Sequence, residues 1–188
     1  MNIIHRRYCR SDGWAFAVQK YMLPWVLKDI DLGDNALEIG PGPGRTTEWL
    51  RDQVPHLTAI EIDHRLAESL KKRLAGPNLT IFEGDATKMQ FPDAAFSGAI
   101  CMTMLHHVPS PALQDKLVAE TFRVLRPGAT FAGCDSTPTL RWRLFHIMDT
   151  CVAVDPNGFA ARLQAAGFVD ATVDTSEYHS FRFRARKP

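Results

Sequence analysis

The stretch Ala36-Leu37-Glu38-Ile39-Gly40-Pro41-Gly42-Pro43-Gly44-Arg45-Thr46-Thr47 decides how the rest of the chain is read. It opens as a short apolar run, which reads as a buried strand. Three glycines at alternate positions follow, and then a polar helix start. A glycine-rich turn lets a ligand approach the backbone closely, because no Cβ stands in the way. The helix N-terminus behind it offers free N–H groups. Such a turn belongs at the C-terminal end of a parallel strand and binds a small molecule there. The dinucleotide fingerprint is G-x-G-x-x-G. Gly40 and Gly42 satisfy it, but its third glycine position is held by Arg45. That disfavours a nicotinamide-type oxidoreductase. A glycine- and proline-rich surface turn with no ligand is the plain alternative.

From Asn35 onward, strand and helix patterns alternate, which predicts a parallel sheet with helices on both faces. A helix is expected over about Thr46 to Val54, and a second strand over Leu57 to Ile62. Leu66, Leu70 and Leu74 form the stripe of the next helix, which Gly76-Pro77 stops. A third strand covers Leu79 to Glu83 and a fourth Gly98 to Met102. Ser110-Pro111 opens a helix with proline in the favoured first position. Arg126-Pro127-Gly128 reads as a turn, and Ala129 to Cys134 as a fifth strand. Asp155-Pro156 starts a last helix, ended by Gly167. Val169 to Val173 and Phe181 to Arg186 alternate as a sixth and a seventh strand.

The pattern Glu38-x-Gly40-x-Gly42-x-Gly44 resembles the first motif of the class I S-adenosylmethionine-dependent methyltransferases. The likeness covers nearly all of Asn35 to Arg186. It implies a Rossmann-like, doubly wound α/β sheet of seven strands in the order 3-2-1-4-5-7-6, with strand 7 antiparallel. It implies S-adenosylmethionine as cofactor and S-adenosylhomocysteine as product. Gly40, Pro41, Gly42 and Gly44 would pass under the aminoacyl part of the cofactor, and Glu38 would organise the site around its amine. A carboxylate at the end of the second strand can accept two ribose hydroxyls at once. Glu61 stands there, while its competitor Asp63 falls at a helix start and suits an N-cap. Ile62 would pack on the adenine, Asp85 would meet the exocyclic amine, and the Ala86 N–H would reach a ring nitrogen. Cys101, Met102 and His107, around the end of the fourth strand, complete the expected cofactor set.

Leu105-His106-His107-Val108 resembles the corresponding segment of small-molecule members of the class, not the N-P-P-Y/F motif of enzymes that methylate adenine or glutamine nitrogen. By contrast, Thr58 to Ala67 resembles the second-strand region of ribosomal RNA adenine dimethyltransferases. Ser97-Gly98 departs from the class, which usually has an acid at the start of this strand. The acceptor is therefore expected to be a small molecule, with no nucleic-acid partner. Methyl transfer is an in-line displacement in which the protein mainly positions the reactants. A base is needed only where the acceptor must lose a proton. His106 and His107 are the candidates; the alternative is that His107 packs over the cofactor and His106 fills the strand end. Tyr8, Trp14, His106, Arg141 and His146 are expected on the acceptor side. A cofactor-binding regulatory subunit without catalysis is the competing non-enzyme reading.

Residues 1–188 are expected to form one methyltransferase domain, with a helical stretch over 1–34 and the core over 35–188. Ser11-Asp12 is a plausible cap for a stripe of Trp14, Ala17, Val18, Tyr21 and Met22, and Pro24 ends that helix or starts a second. His5 to Arg10 is basic and aromatic, either a solvated arm or, as in the resembled class, a lid over the site. A net charge of +1 gives no global argument for nucleic acid or an anionic membrane. No apolar run approaches the roughly 20 residues a membrane span needs, and the N-terminus lacks the apolar segment of a signal peptide. The four cysteines, Cys9, Cys101, Cys134 and Cys151, form no C-x-x-C pair and read as reduced thiols of a cytoplasmic protein. No metal is expected. His5 and Cys9 sit four apart, but two ligands are too few for a structural zinc site. Asp135 is a lone carboxylate at a strand end.

Overall fold

The computed structural model describes residues 3–176 and 179–188; the side chains of Ile3, Ile4 and Arg141 lie outside the described ones. Seven strands form one sheet: β1 (Asn35–Ile39), β2 (His56–Glu61), β3 (Leu79–Glu83), β4 (Phe96–Met102), β5 (Leu125–Ser136), β6 (Val169–Ser176) and β7 (Ser180–Arg186). Their order is β3-β2-β1-β4-β5-β7-β6, as the resemblance implied. The first five in that row are parallel, and β7 runs antiparallel to both of its neighbours. The strand order reverses between β1 and β4, so a crevice opens at the carboxyl ends there.

Strand alternation sends successive side chains to opposite faces. Leu37, Ile39, Cys101 and Phe131 enter one core, packed with residues of α6 (Pro111–Val124) and α8 (Pro156–Ala165). Ala36, Ile100, Met102 and Cys134 enter the other, beneath α4 (Arg45–Leu50) and the N-terminal helices. Glu38 shares the face of Ala36 and is almost wholly buried. α5 (His64–Leu74) follows β2 and is capped by Asp63, whose Oδ1 accepts from the N–H groups of Arg65 at 2.8 Å and Leu66 at 3.1 Å.

Two local expectations are corrected. The first helix stops at Leu50 rather than near Val54. Arg126-Pro127-Gly128 is not a turn between elements but a bulge inside β5. Pairing with β4 jumps from Phe96↔Leu125 to Gly98↔Thr130. The C-terminus holds the bulge: the Gly128 N–H donates to Lys187 O, and the Lys187 N–H to Ala129 O, each at 2.9 Å. Of the two roles open to Pro24, the structure shows the second: it sits in the first turn of the short α3 (Leu23–Val26). α1 (Ile3–Cys9) and α2 (Asp12–Ala17) are followed by a π-helical stretch, Val18–Met22, that runs directly into α3 (Leu23–Val26). A proline in a helix removes one donor and crowds the carbonyl four residues back. Widening the preceding turn relieves both problems, and the Leu23 N–H accordingly donates to Val18 O, five residues back.

No helix among the described residues is long and apolar enough to cross a membrane.

Candidate functional site

A cavity of about 530 Å³ lies over the carboxyl ends of β1, β2, β4 and β5. It runs from the glycine turn to a group of aromatic and histidine side chains. Its roof is made by α1, α2 and α7 (Leu140–Phe145).

At the glycine-turn end, Gly40 has φ +66° and Gly42 φ +55°, both in the left-handed region. A Cβ on Gly40 would stand 2.3 Å from Met104 Cγ, so no larger residue fits. A Cβ on Gly42 would meet nothing within 4 Å, which leaves that side of the turn open for a ligand. Glu61 fastens this turn to the end of β2. Its Oε2 accepts from the Gly42 N–H and its Oε1 from the Asp63 N–H, each at 2.9 Å. A carboxylate has about four lone-pair sites, so each oxygen keeps capacity for a further donor. Burial pushes the Glu61 carboxyl above the usual range, against the pull of these two N–H groups. Asp85 Oδ1 accepts from the N–H and the hydroxyl of Thr87, both at 2.8 Å. Ile62, 70% exposed, presents an apolar face at the same end.

Glu38 sits behind this wall. Burial pushes its carboxyl up to about 8; the Glu61 charge adds to the rise and the Thr47 hydroxyl opposes it. Its Oε2 is buried with no hydrogen-bond partner. A buried acceptor in that state favours an incoming donor or a proton.

At the other end, His106 and Asp135 form a buried pair. His106 Nδ1 lies 2.5 Å from Asp135 Oδ1, and the His106 N–H donates to Asp135 Oδ2 at 3.0 Å. Ser136 N–H adds a third bond to this carboxylate at 2.7 Å. The carboxylate can only accept, so His106 Nδ1 donates to it. His106 Nε2 is buried without a partner. His107 and His146 pack on the His106 ring, and His5 packs on those two, with ring centroids 4.5 to 5.7 Å apart within that trio. Burial depresses all three, His5 to about 4 and His107 to about 3, so these imidazoles are neutral near pH 7.

Of the residues singled out from sequence, Gly40, Pro41, Gly42, Glu61, Ile62, Asp85, Ala86, Met102, His106, His107, His146, Tyr8 and Trp14 stand on the cavity wall. Gly44 does not: it is the left-handed N-cap of α4, packed on Leu70. Cys101 is also off the wall. Strand alternation points its side chain away from the cavity into the α6 and α8 core, where it is fully buried. The Arg141 side chain lies outside the described residues. Within His5 to Arg10, α1 carries His5 to the cavity, buried against Phe145 and His146, while Arg7, Tyr8 and Arg10 are exposed.

Trp142 and Phe145, which the aromatic and cationic stretch from Ser136 to Val154 offers as cavity walls, also stand there. Sequence reasoning missed Asp135 as the partner of His106. Asp135 was visible as a strand-end acid, but no local pattern links it to a histidine 29 residues earlier. Arg45, at the position of the missing third glycine, reaches the α1–α2 corner. Its Nη2 donates to Arg10 O at 2.7 Å and to Asp12 Oδ1 at 3.2 Å.

Residues 37–133 match a family model described as a methyltransferase domain. Among curated proteins, the chain is similar to the ribosomal RNA small subunit methyltransferase A of Bordetella pertussis, 35% identical over 80 residues. That match covers 43% of this chain and 30% of that protein, so less than a third of the relative's length is represented. Among solved structures, the fold is similar to an S-adenosylmethionine-dependent methyltransferase from Aquifex aeolicus, with TM-score 0.77, 17% identity and 98% of each chain covered. It is also similar to phosphoethanolamine N-methyltransferase 2 of Haemonchus contortus, solved with phosphomonomethylethanolamine and S-adenosylhomocysteine. There the TM-score is 0.75 and the identity 14%, with 98% of this chain and 59% of that chain covered.

Proposed function

The chain belongs to the methyltransferase domain family, and from that premise we propose that it transfers the methyl group of S-adenosylmethionine to a small-molecule acceptor. The glycine-turn end of the cavity fits the cofactor. Glu61 has lone pairs left for the ribose diol, Ile62 and Ala86 offer a slot for the ring, and Asp85 faces the same space. The orphaned Glu38 Oε2 fits a nearby ammonium group, directly or through water. When bound, the cofactor supplies an electrophilic methyl group and a neutral thioether leaving group.

This chain's residues do the rest. The cavity orients the acceptor and keeps water from it, and His106 Nε2 accepts a proton where the acceptor must lose one. The single observation that carries the small-molecule reading is the roof. α1, α2 and α7 close the far end with Tyr8, Trp14, Trp142 and Phe145, and aromatic walls with a few convergent polar groups suit a small ligand. In this reading residues 1–34 act as a lid on a core over 35–188.

The likeness to ribosomal RNA methyltransferases favours a second reading, an RNA acceptor. Label transfer from the methyl-labelled cofactor decides between them. Methylated product from a metabolite pool, with none in ribosomal RNA, is the expected result; label in RNA alone selects the second reading. Absence of S-adenosylhomocysteine formation with either acceptor points to a non-catalytic subunit.

Two variants test the site. Glu61→Ala is expected to weaken S-adenosylhomocysteine binding by about 1.5–3 kcal/mol, the scale of a hydrogen bond to a charged group. Asp63→Ala is expected to cost about 1 kcal/mol of stability, as a lost helix cap. Calorimetry in which Asp63→Ala loses more affinity than Glu61→Ala reverses the ribose assignment. Deleting residues 1–10 is expected to keep cofactor affinity within about tenfold, or 1.4 kcal/mol, while turnover is lost. Turnover surviving the deletion removes the lid.

A further inference from the structure

We propose that His5, His107 and His146 form a binding site for one first-row divalent transition-metal ion, with zinc as the reference case. The three residues come from separate places: α1, the turn after β4, and the end of α7. One ring nitrogen from each lies within 4.8 Å of those of the other two. A tetrahedral zinc with bonds of about 2.1 Å places its ligand nitrogens about 3.4 Å apart. Small ring rotations, within the spread of one rotamer, cover the difference.

The second observation is the way the rings are held. His5 Nδ1 faces Asp149 Oδ2 at 3.2 Å, His107 Nδ1 faces Thr150 O at 3.1 Å, and His146 Nδ1 faces Trp142 O at 2.7 Å. All three partners are oxygens that only accept. Each ring therefore carries its proton on Nδ1 and its lone pair on Nε2. This is the arrangement that fixes histidine metal ligands, with the outer nitrogen tied to a carboxylate or carbonyl. His146 is 6% exposed, and its Nε2 is buried without a partner. Packing for its own sake does not call for three imidazoles in the same tautomer beside an unpaired acceptor.

Imidazole ligands select zinc, copper, nickel, cobalt or iron over magnesium and calcium. Three protein ligands leave a fourth position, as in open metal sites. All three histidines line the cavity, so that position faces the acceptor's end of it. The ion would hold a lone pair of the acceptor there, beside His106. Only this last role rests on the methyl-transfer reading; the binding itself does not.

The test uses the full chain stripped with chelator, without methyl cofactor. Zinc is titrated calorimetrically, and cobalt is followed by its visible absorption. The expected result is one ion per chain, bound more tightly than about 1 µM, with cobalt bands of a four- or five-coordinate nitrogen site. His5→Ala and His146→Ala are each expected to weaken binding by about a hundredfold or more. Cys9→Ser, four residues from His5, is expected to leave affinity unchanged. Binding weaker than about 100 µM, a thiolate-to-cobalt charge-transfer band, or affinity unchanged in both histidine variants overturns the site. Circular dichroism and S-adenosylhomocysteine binding establish that the variants fold. If they do not, the cobalt spectrum of the unaltered chain decides. Failure of the methyl-transfer reading shows separately, as absence of S-adenosylhomocysteine binding.

Discussion

His106→Asn is expected to lower turnover by about 10²- to 10⁴-fold, the usual contribution of a positioned acid or base. S-adenosylhomocysteine affinity is expected to stay within about tenfold. Asparagine is chosen because its Nδ2 can still donate to Asp135, whose oxygens already collect the N–H groups of His106 and Ser136. A plain truncation would leave that buried carboxylate short of a donor and confuse lost chemistry with lost stability. What asparagine lacks is the acceptor at Nε2, which in the native site is buried and unpartnered on the cavity wall. Turnover is measured with the acceptor that the label-transfer screen returns. An unchanged kcat assigns His106 a packing role and moves the search for a base elsewhere. An unchanged kcat with a raised KM makes it a binding group only.

The second large effect is a stability slope set by Glu38. Its folded pKa is raised from 4.5 to about 8 by burial. Between those values the folded state holds a proton that the unfolded chain has released. Stability linked to this group is therefore fully present below about pH 4.5 and is lost as pH rises towards about 8. The full span is roughly 3–5 kcal/mol as an upper bound, at 1.36 kcal/mol per unit. Glu61 is shifted in the same direction, while Asp34, Glu68 and Glu120 are shifted in the opposite one. The total pH profile thus mixes several groups. The difference between the native chain and Glu38→Gln isolates one. Urea unfolding of the cofactor-free protein is expected to give a variant with a flatter profile, relatively more stable above about pH 8. Equal slopes in the two proteins mean that Glu38 is charged throughout. The same linkage predicts proton release when an ammonium group arrives beside Glu38. Calorimetry of S-adenosylhomocysteine binding in buffers of different ionisation enthalpy detects it.

The sheet was legible because its signals are local. A glycine turn after an apolar run, strand-end acids and alternating strand–helix periods need no knowledge of what packs where. They were enough for all seven strands and, through the resemblance, for their order. Glu61 and Asp63 separate on the same basis, since two positions decide between strand end and helix cap. The misses are those where a second element decides. Cys101 and Met102 are neighbours, yet only strand pairing and the α6 packing tell which one faces away from the cavity. The bulge at Arg126-Pro127-Gly128 depends on Lys187, about sixty residues later. Pro24 left a stop and a new start equally open, because a π-helical turn leaves no mark in the hydrophobic period. The histidines come from α1, the turn after β4 and α7, and share no spacing a single sequence reveals.

Arg45 carries a kinetic consequence. Where a dinucleotide site has its third glycine, this chain has a guanidinium that joins the glycine-turn helix to Arg10 O and the fully exposed carboxylate of Asp12. On the lid reading, the α1–α2 corner is tied to the glycine-turn helix by contacts open to solvent, beside the buried packing of His5 on Phe145 and His146. Salt screens the solvent-open contacts at the ionic strengths of ordinary buffers. Residence time of a bound molecule then becomes a function of ionic strength, and the sheet beneath keeps its shape while the entrance changes its rate.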